Sequence, residues 1–410
     1  MKEDWGSPEF VHRLFEEWYE TEAKRVVEPR NLRQREFAFL TFMGQTMYRH
    51  IGFKDVSALH DYLADNAPSH CYHSSTYYED PQANMSEKGW LGADLVFDID
   101  ADHFDLECQD RHDRWRCTTC GRRGSGKPPE RCECGKATFQ TENWLCEKCL
   151  QAAKYEAQKL LDILIQDFGL LPEEEVICNF SGHRGYHVHV INERIKMLGQ
   201  NERREIVDYI MGIGLEPIHL GYNRLRGGPS NLSEMGWRGR SGRALYDYIL
   251  GADEGDIKDL SLGTNATETL LEKKEEILNS LMEKHPSQIT QYLNPRPLNK
   301  LFKTAIKEQA AEIDTVVTTD IHRLIRIPNT LHGKTGWEVQ NVPLDTLTDY
   351  NPLQEAIVFT EGTQKVYIKW TPRFKIGESE YGPYEDEKIE LPTSAALFVL
   401  CKKGGRITNG

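Results

Sequence analysis

Two aspartates one residue apart are the residues of this chain best suited to carry chemistry. In LVFDID, Asp98 and Asp100 lie on a predicted strand, so both carboxylates project from one face while Phe97 and Ile99 point into the core. Two anions this close on a half-buried strand repel each other unless a cation compensates them, and their hard oxygens suit Mg²⁺ or Mn²⁺. A third acid, Asp314, lies in EIDTVVTTD, a strand-like segment that only the fold could bring alongside. The pattern predicts a site for divalent cations, and the alternative for a D-x-D pair alone is a solvated strand edge.

Seven of the ten cysteines fall between positions 108 and 149, in paired spacings that favour metal over disulfides. One set has the close pairs of a zinc knuckle: Cys117, Cys120, Cys132 and Cys134. The remaining candidates form a second possible set of four: Cys108, His112, Cys146 and Cys149. Together they would fill two tetrahedral structural sites. Two alternatives stay open, namely His103 in place of His112, and a single zinc ion with spare thiols.

The net charge of −14 argues against a nucleic-acid partner unless positive charge is concentrated locally, because binding a phosphate backbone means displacing its counterions. Two such concentrations occur. Between Arg111 and Lys136 there are eight Lys or Arg against three acids, and between Arg224 and Arg243 there are five Arg against one Glu. Each is a candidate contact for a nucleic-acid strand, and each is equally well explained as an ordinary charged loop.

Hydrophobic residues make up 39% of the 410 residues and charged residues 28%, as in an ordinary folded protein. The first residues lack the basic and apolar regions of a secretory signal, and no run of eighteen apolar residues occurs. We therefore expect a cytoplasmic protein in a reducing compartment, with no membrane partner.

The elements that must position these residues are predicted as follows. Residues 8–66 are expected to be mostly helical, Leu95 to Asp100 to form a strand, and Glu147 to Phe168 to form a helix. The segment VICNFSGHRGYHVHVIN predicts two strands joined by a Gly-rich turn. Between about 196 and 290, helices and charged linkers indicate an insertion. Strand signals return at EIDTVVTTD and KVYIKW, and the Gly-containing tail from Lys402 is expected to be mobile.

Four segments in order resemble the catalytic subunit family of archaeal and eukaryotic primases, most closely its archaeal members. They are KGWLGADLVFDIDADH, CEKCLQAAKYEAQKLLDIL, FSGHRGYHVHV and DTVVTTDIHRLIRIPNTLHGKTG. The resemblance covers most of residues 30–200 and 295–370. It implies an α+β fold, a mixed α/β primase catalytic core with central β-sheets flanked by helices. The core would comprise residues 1–195 and 291–410, with a zinc-binding region at 103–150 and a largely helical insertion at 196–290.

The resemblance also implies roles for single residues. Asp98, Asp100 and Asp314 would form a catalytic triad that holds two divalent ions. Contacts to the incoming nucleotide would come from the loop residues Ser181, His183, Arg184 and His187, and His332 and Lys334 would meet its triphosphate. Among the loop residues, His183 stands where many relatives carry an arginine. Arg323 and Arg326 are, by their chemistry, further donors that a triphosphate could use, with ordinary surface ion pairs as the alternative. The GKT at positions 333–335 is not a P-loop, since Pro328 occupies the position where that motif needs a glycine.

For the cysteines, the resemblance assigns Cys108, His112, Cys146 and Cys149 to a structural zinc site of the family. The residues from Cys117 to Cys134 would then be an inserted second knuckle. Further implications are a large-subunit partner that carries an iron–sulfur cluster, a single-stranded DNA template, and ribonucleoside triphosphates as substrates. Deoxyribonucleoside triphosphates are left open as alternative substrates.

We therefore expect a nucleotidyltransferase with DNA primase activity, which makes short RNA primers de novo by two-metal catalysis. One rival is a stand-alone primase-polymerase that acts in repair or belongs to a mobile element. Preference for ribonucleotides and dependence on a partner would distinguish the primase from this rival. Another is a zinc-containing nucleic-acid adaptor without catalysis. That adaptor would have no synthesis to lose when Asp98 and Asp100 are replaced.

Overall fold

The computed structural model describes residues 5–42, 46–222, 231–283 and 285–408. It shows the mixed α/β fold expected for a primase core, with several sheets and flanking helices. The chain divides into two compact units. The first comprises Met1–Tyr155, Glu173–Gln200 and Val316–Gly410, and the second comprises Glu156–Pro172 and Asn201–Thr315.

The helices and strands below are those of the described residues. The α-helices are α1 (Pro8–Glu22), α2 (Val56–Asn66), α3 (Gln109–His112), α4 (Glu147–Gln166), α5 (Gln200–Ile210), α6 (Gly236–Gly251), α7 (Glu254–Asp259), α8 (Thr264–Glu272), α9 (Lys274–Glu283), α10 (Pro295–Gln309), α11 (Thr315–Thr319), α12 (Pro352–Glu355) and α13 (Thr393–Cys401). The strands are β1 (Phe37–Leu40), β2 (Met47–Ile51), β3 (His70–Ser74), β4 (Thr76–Tyr78), β5 (Trp90–Ala93), β6 (Leu95–Asp100), β7 (Arg114–Cys117), β8 (Arg123–Ser125), β9 (Phe139–Glu142), β10 (Val176–Phe180), β11 (Gly185–Val190), β12 (Leu324–Arg326), β13 (Leu331–His332), β14 (Trp337–Glu338), β15 (Gln340–Asn341), β16 (Thr363–Thr371), β17 (Phe374–Ile376), β18 (Ser379–Tyr381), β19 (Tyr384–Pro392) and β20 (Gly405–Ile407).

Two four-stranded antiparallel sheets form the centre of the first unit. Their strand orders are β12-β3-β1-β2 and β15-β10-β11-β6. In the second sheet β11 lies between β10 and β6, and all six of its residues are buried. The two sheets meet through side chains, since the rings of His73 on β3 and His189 on β11 have centroids 6.2 Å apart. Because side chains alternate along a strand, His187 projects from this same face of β11.

A third sheet, β19-β16-β20, packs against α13, whose residues are almost all buried. The expected strand at KVYIKW is confirmed as part of β16. The tail from Lys402, expected to be mobile, instead continues into β20, which pairs with β16. Gly405 permits this pairing, since a Cβ on it would lie 2.7 Å from the Tyr367 carbonyl oxygen. The glycines of this tail therefore allow two backbones to approach closely, rather than making the tail flexible.

The second unit is helical and has its own core. Side chains such as Trp237, Leu245, Ile277 and Phe302 are buried together in it. Within the part of the chain that the structure describes, no helix is both long enough and apolar enough to cross a membrane.

Two sequence expectations are wrong in part. Residues 8–66 contain helices α1 and α2, but Phe37–Leu40 and Met47–Ile51 form strands β1 and β2, because Phe37 and Phe39 alternate along β1 and their backbones pair with β3. EIDTVVTTD was expected to be a strand from its β-branched residues. Its centre forms the short helix α11, followed by an Asp320 N–H that donates to the Val316 oxygen, four residues back.

Candidate active site

Asp98 and Asp100 lie on the face of β6 that is turned toward the space between the two central sheets. Phe97 and Ile99, which alternate with them, are fully buried on the opposite face. The two aspartate side chains keep 21% and 32% of their surface exposed. Half-buried hard oxygen donors that share one face of a strand fit a magnesium or manganese ion.

His187 and Arg184 face this carboxylate pair. In the pairing of β11 with β6, His187 lies opposite Asp98, and its Nε2 is 3.6 Å from Asp98 Oδ1. Arg184 Nε is 2.9 Å from Asp100 Oδ1, and its Nη2 contacts a carboxylate oxygen of Asp102. The backbone N–H of Asp102 donates to Asp100 Oδ1 over 3.0 Å. Arg184 therefore neutralises part of the negative charge that the aspartates concentrate here.

The turn between β10 and β11 requires glycine at two positions. Gly182 has a φ of +77°, and a Cβ on it would lie 2.8 Å from the Cβ of His332. A Cβ on Gly185 would lie 2.0 Å from the carbonyl oxygen of Ile99 in β6. Ser181 closes the turn, because its Oγ accepts a hydrogen bond from the Gly185 N–H over 3.3 Å. The two glycines thus set how closely β11 approaches the carboxylate strand.

Three buried histidines and two cations form a group that we call the basic pocket: His70, His183, His332, Arg326 and Lys334. The rings of His183 and His332 stack at 5.1 Å with an angle of 9° between their planes, and His70 meets His332 edge to face at 4.9 Å. Arg326 Nη1 donates to His70 Nδ1 over 3.0 Å. The N–H of Lys334 donates to His332 Nδ1 over 3.1 Å. These contacts bring residues of β3, β12, the β10–β11 turn and the LHGKTG segment together.

The three imidazoles of the basic pocket are neutral. Burial lowers the pKa of each well below its ordinary value, and nearby cations lower it further. Burial also lowers the pKa of Lys334, followed by the charges of Arg326 and Arg184, whereas Asp100 raises it. The positive charge of the pocket is therefore carried by lysine and arginine, which are the side chains that suit a triphosphate.

Arg323 lies just before β12, and its carbonyl oxygen accepts a hydrogen bond from the Ser75 N–H over 2.8 Å. Its buried Nε has no hydrogen-bond partner within the described ranges. Burial lowers the pKa of His187 well below its ordinary value, and His189, Arg326 and Arg323 lower it further. The charge of Arg323 is therefore felt at the face of β11 that carries the site, which favours a nucleotide contact over an isolated surface ion pair.

Asp314 directly precedes α11 and belongs to the second unit, whereas Asp98 and Asp100 belong to the first. Its side chain is half-buried. The third acidic ligand therefore stays a prediction, which substitution can test.

The first cysteine group consists of Cys108, His112, Cys146 and Cys149, with His112 rather than His103 in the set. Its potential ligand atoms all lie within 4.8 Å of one another. The Sγ atoms of Cys108 and Cys146 lie 3.6 and 3.8 Å from that of Cys149. A tetrahedron with zinc–sulfur bonds of about 2.3 Å has edges of about 3.8 Å. The donor set therefore fits zinc, and the distances exclude disulfides.

Asp113 orients the histidine of this group. Its Oδ1 lies 2.8 Å from His112 Nδ1 and accepts the Trp144 N–H over 2.8 Å. His112 Nε2 is thereby aimed at the thiols, 3.3 Å from Cys149 Sγ. A carboxylate behind a metal-ligating histidine is the usual arrangement at zinc sites.

The second cysteine group gathers the four thiols of the predicted knuckle, on and near the three-stranded sheet β8-β7-β9. Cys117 and Cys134 Sγ are 3.6 Å apart, and Cys120 and Cys132 Sγ are 3.5 Å apart. Four thiols at tetrahedral-edge distances could hold a second zinc ion. We call this sheet and its cysteines the zinc ribbon.

The two basic segments differ in their surroundings. In the zinc ribbon, Arg116 and Arg123 are exposed and lie directly opposite each other on β7 and β8. In the second segment Arg224 and Arg226 lie outside the described residues. The guanidinium of Arg240 is buried in the second unit against two aspartates, at 2.6 and 2.8 Å. Arg240 therefore stabilises the helical unit and is not a strand contact.

The sequence patterns missed Lys402, Asp102 and His70. Lys402 Nζ lies 2.6 Å from His183 Nε2 in the basic pocket. The contacts of Asp102 with Arg184 and of His70 with Arg326 have been given above. Asp102 repeats the spacing of Asp98 and Asp100, two residues further on, which could have drawn attention to it, but nothing local marks the other two.

Comparison with known proteins identifies the family of this chain. A family model described as the DNA primase small subunit matches residues 133–345. The DNA primase small subunit PriS of Methanoregula boonei is 34% identical to this chain over 417 residues, covering 97% of the chain and 98% of that protein. Those of Cenarchaeum symbiosum and Archaeoglobus fulgidus are 32% and 31% identical, and each match covers at least 95% of both proteins. With a family model across half of the chain and relatives that match almost all of it, the chain belongs to the DNA primase small-subunit family, in its archaeal type.

Proposed function

We propose that this chain is the catalytic subunit of a primase that starts short RNA chains de novo on a single-stranded DNA template. The observation that supports this most directly is that both kinds of group that the reaction needs lie on one face. Asp98 and Asp100 offer ligands for divalent cations, and Arg184 and the basic pocket offer cations for a triphosphate. Nucleotidyl transfer needs both at once.

In this proposal Asp98 and Asp100, with Asp314 as the third ligand, would hold two Mg²⁺ or Mn²⁺ ions. Such ions, when bound, lower the pKa of the attacking 3′-hydroxyl and stabilise the negative charge that develops at the α-phosphate. Arg184 and Lys334 bind the triphosphate and orient its α-phosphate toward the carboxylates. The contribution of the chain is then mostly positioning and preorganised electrostatics.

The neutral histidines complete the pocket by donating or accepting hydrogen bonds at fixed positions. His187 faces Asp98 at 3.6 Å and can hold one orientation of that carboxylate. Arg323, whose buried Nε has no hydrogen-bond partner among the residues that the structure describes, supplies a further donor on the same side. Ser181 uses its Oγ to close the turn, so its nucleotide contact would come from the remaining hydrogen-bonding capacity of the hydroxyl.

The names of the relatives describe a small subunit, and we propose a large subunit as the partner of this chain. The iron–sulfur cluster is assigned to that partner. Within the described residues, the cysteines outside the two zinc groups, which are Cys71, Cys178 and Cys401, do not form a cluster-binding set. Residues 1–195 and 291–410 would be the catalytic core and residues 196–290 an insertion.

The zinc ribbon is the proposed contact for template. Like charges directly opposite each other on paired strands destabilise a sheet, and Arg116 and Arg123 are such a pair. A phosphate backbone would compensate them. This is a local attraction of the kind that a chain with a net charge of −14 requires.

The test is primer synthesis by the purified chain, with and without its large subunit, on single-stranded DNA with labelled ribonucleotides or deoxyribonucleotides and Mg²⁺ or Mn²⁺. We expect labelled products that Asp98→Asn abolishes, whereas Asp61→Asn at an exposed position on α2 leaves them unchanged. DNA binding without any synthesis would establish the adaptor instead. Efficient partner-independent synthesis that prefers deoxyribonucleotides would favour the stand-alone primase-polymerase.

A further inference from the structure

Lys402 brings a cation to the basic pocket from the end of α13. Its Nζ lies 2.6 Å from His183 Nε2 and donates to the carbonyl oxygen of Asn143 over 3.1 Å. Because burial and neighbouring cations keep His183 neutral, its ring nitrogen can accept a hydrogen bond from the ammonium. Two acceptors from separate parts of the first unit thus fix the position of one amine.

The charges around this amine do not balance. The ion pairs at the site are those of Arg184 with Asp100 and Asp102, and the contact of His187 with Asp98. Within the described ranges, no carboxylate lies within ion-pair distance of the side-chain nitrogens of Arg326, Lys334 or Lys402. Arg326 and Lys402 are partly buried, and cations partly withdrawn from water without a counter-charge are unfavourable. A ligand with several negative charges would relieve this cost at both positions and would attract the exposed Lys334 as well.

We infer that Lys402 is a further triphosphate-binding residue of this enzyme, held toward the basic pocket by His183 and by the carbonyl of Asn143. The inference rests on the proposed function, in which the ligand of the pocket is a nucleoside triphosphate. His183 is then a positioning residue: its ring stacks on His332, and its Nε2 aims the ammonium. The remaining N–H groups of Lys402 bind phosphate oxygens.

The electrostatic surroundings agree with this role. Burial lowers the pKa of Lys402 to about 7, and the charges of Arg184 and Lys334 lower it further, whereas Asp113 and Cys401 raise it. A triphosphate would favour the ammonium over the neutral amine. Nucleotide binding at neutral pH would therefore be coupled to proton uptake at Lys402.

The test measures binding of ATP with Mg²⁺, without template, by calorimetry on the full chain. Lys402→Met keeps the side-chain length and removes the charge, and we expect Kd to rise about tenfold to a hundredfold. Lys402→Arg should recover most of the affinity. Lys388→Met removes a charge from an exposed position on β19 of the same unit and should leave Kd unchanged.

His183→Phe tests the positioning role, because it keeps a ring that can stack and removes the acceptor. His183→Phe alone should raise the Kd for ATP. The double variant His183→Phe with Lys402→Met should have the same Kd as Lys402→Met alone. Independent, additive effects would contradict a role of His183 through Lys402.

An unchanged Kd for a folded Lys402→Met variant overturns the inference. If that variant does not fold, the wild-type chain decides: acetylation of Lys402 by an amine-selective reagent, mapped by mass spectrometry, should be suppressed by ATP with Mg²⁺, and equal acetylation with and without ATP overturns the role. The proposed function fails separately, if the wild-type chain binds ATP but makes no product on single-stranded DNA. If the Lys402→Met variant synthesises primers with an unaltered KM for ATP, the role of Lys402 is rejected and the proposed function stands.

Discussion

His187 and Asp98 occupy directly opposed positions on β11 and β6, with Nε2 of the histidine 3.6 Å from Oδ1 of the aspartate. Opposed residues of an antiparallel pair project from the same face, so the register of these two strands alone brings the carboxylate of Asp98, a proposed metal ligand, beside His187, a proposed nucleotide contact. A shift by one residue would turn one of the two side chains into the core. The register is therefore a requirement of the proposed chemistry.

Gly185 is the position at which this register is most easily tested. Replacement by alanine would put a Cβ 2.0 Å from the Ile99 oxygen and push β11 away from β6. We expect a loss of about 1 to 3 kcal/mol in the free energy of unfolding, which is typical of overpacking, together with loss of synthesis. Denaturant titration measures the first. Gly251→Ala, at the end of α6 with open space around it, should leave both unchanged.

Removal of any one acidic ligand should stop synthesis without unfolding the chain. For Asp98→Asn and for Asp314→Asn we expect kcat to fall by about 10²-fold to 10³-fold or more, since a main source of transition-state stabilisation is lost. Thermal stability should be unchanged or slightly higher, because repulsion between the carboxylates is relieved. Steady-state primer synthesis provides the rates. Near-normal activity of Asp314→Asn would remove that residue from the proposed site and leave the other two.

The two cysteine groups should each bind one zinc ion with different structural importance. Cys149 is buried at the first group, so Cys149→Ser should remove one zinc and lower Tm, by about 2 to 4 °C for each kcal/mol lost. Cys120 is exposed on the zinc ribbon, and Cys120→Ser should remove one zinc with little change in Tm. Elemental analysis and calorimetry test this. A wild-type content of one zinc per chain would contradict the assignment of two sites.

The zinc ribbon should contribute to the salt dependence of DNA binding. Exchange of both Arg116 and Arg123 for glutamine removes two phosphate contacts, and the slope of log affinity against log salt should become shallower by about 1.4 for single-stranded DNA. Titration of a fluorescent oligonucleotide at several salt concentrations measures the slope. The matched control is Lys365→Gln with Lys388→Gln, at exposed positions on β16 and β19. Equal slopes in the two double variants would exclude the ribbon as the contact.

ATP affinity should depend on pH through Lys402, whose pKa is lowered to about 7. Above this pH the free protein holds a neutral amine that must gain a proton on binding, so the affinity should fall as pH rises, by at most tenfold per unit. Below it the amine is already charged and the dependence should level off. Comparison of wild type with Lys402→Met in the same buffers cancels the titration of ATP itself. A constant ratio of the two Kd values between pH 6 and 9 would show that the pKa of Lys402 is not lowered into this range.

The local parts of the site could be predicted, and the long-range parts could not. Asp98 and Asp100 on β6 follow from strand alternation, and the cysteine groups follow from paired spacing. By contrast, Lys402 and His183 are separated by 219 residues, and no periodicity connects them. The helix at α11 was mistaken for a strand because β-branched residues indicate a strand only where a neighbouring strand is available to pair. Family resemblance, rather than spacing, linked Asp314 to the other acids.

The basic pocket joins chain positions that are far apart, with Arg326 and His70 separated by 256 residues. During translation, a nascent polypeptide that has emerged only as far as α12 already contains the three proposed acidic ligands and both cysteine groups. It still lacks the amine that contacts His183. The complete basic pocket can therefore assemble only after the chain has emerged as far as Lys402, and high sequence separation of this kind is typical of slow folding.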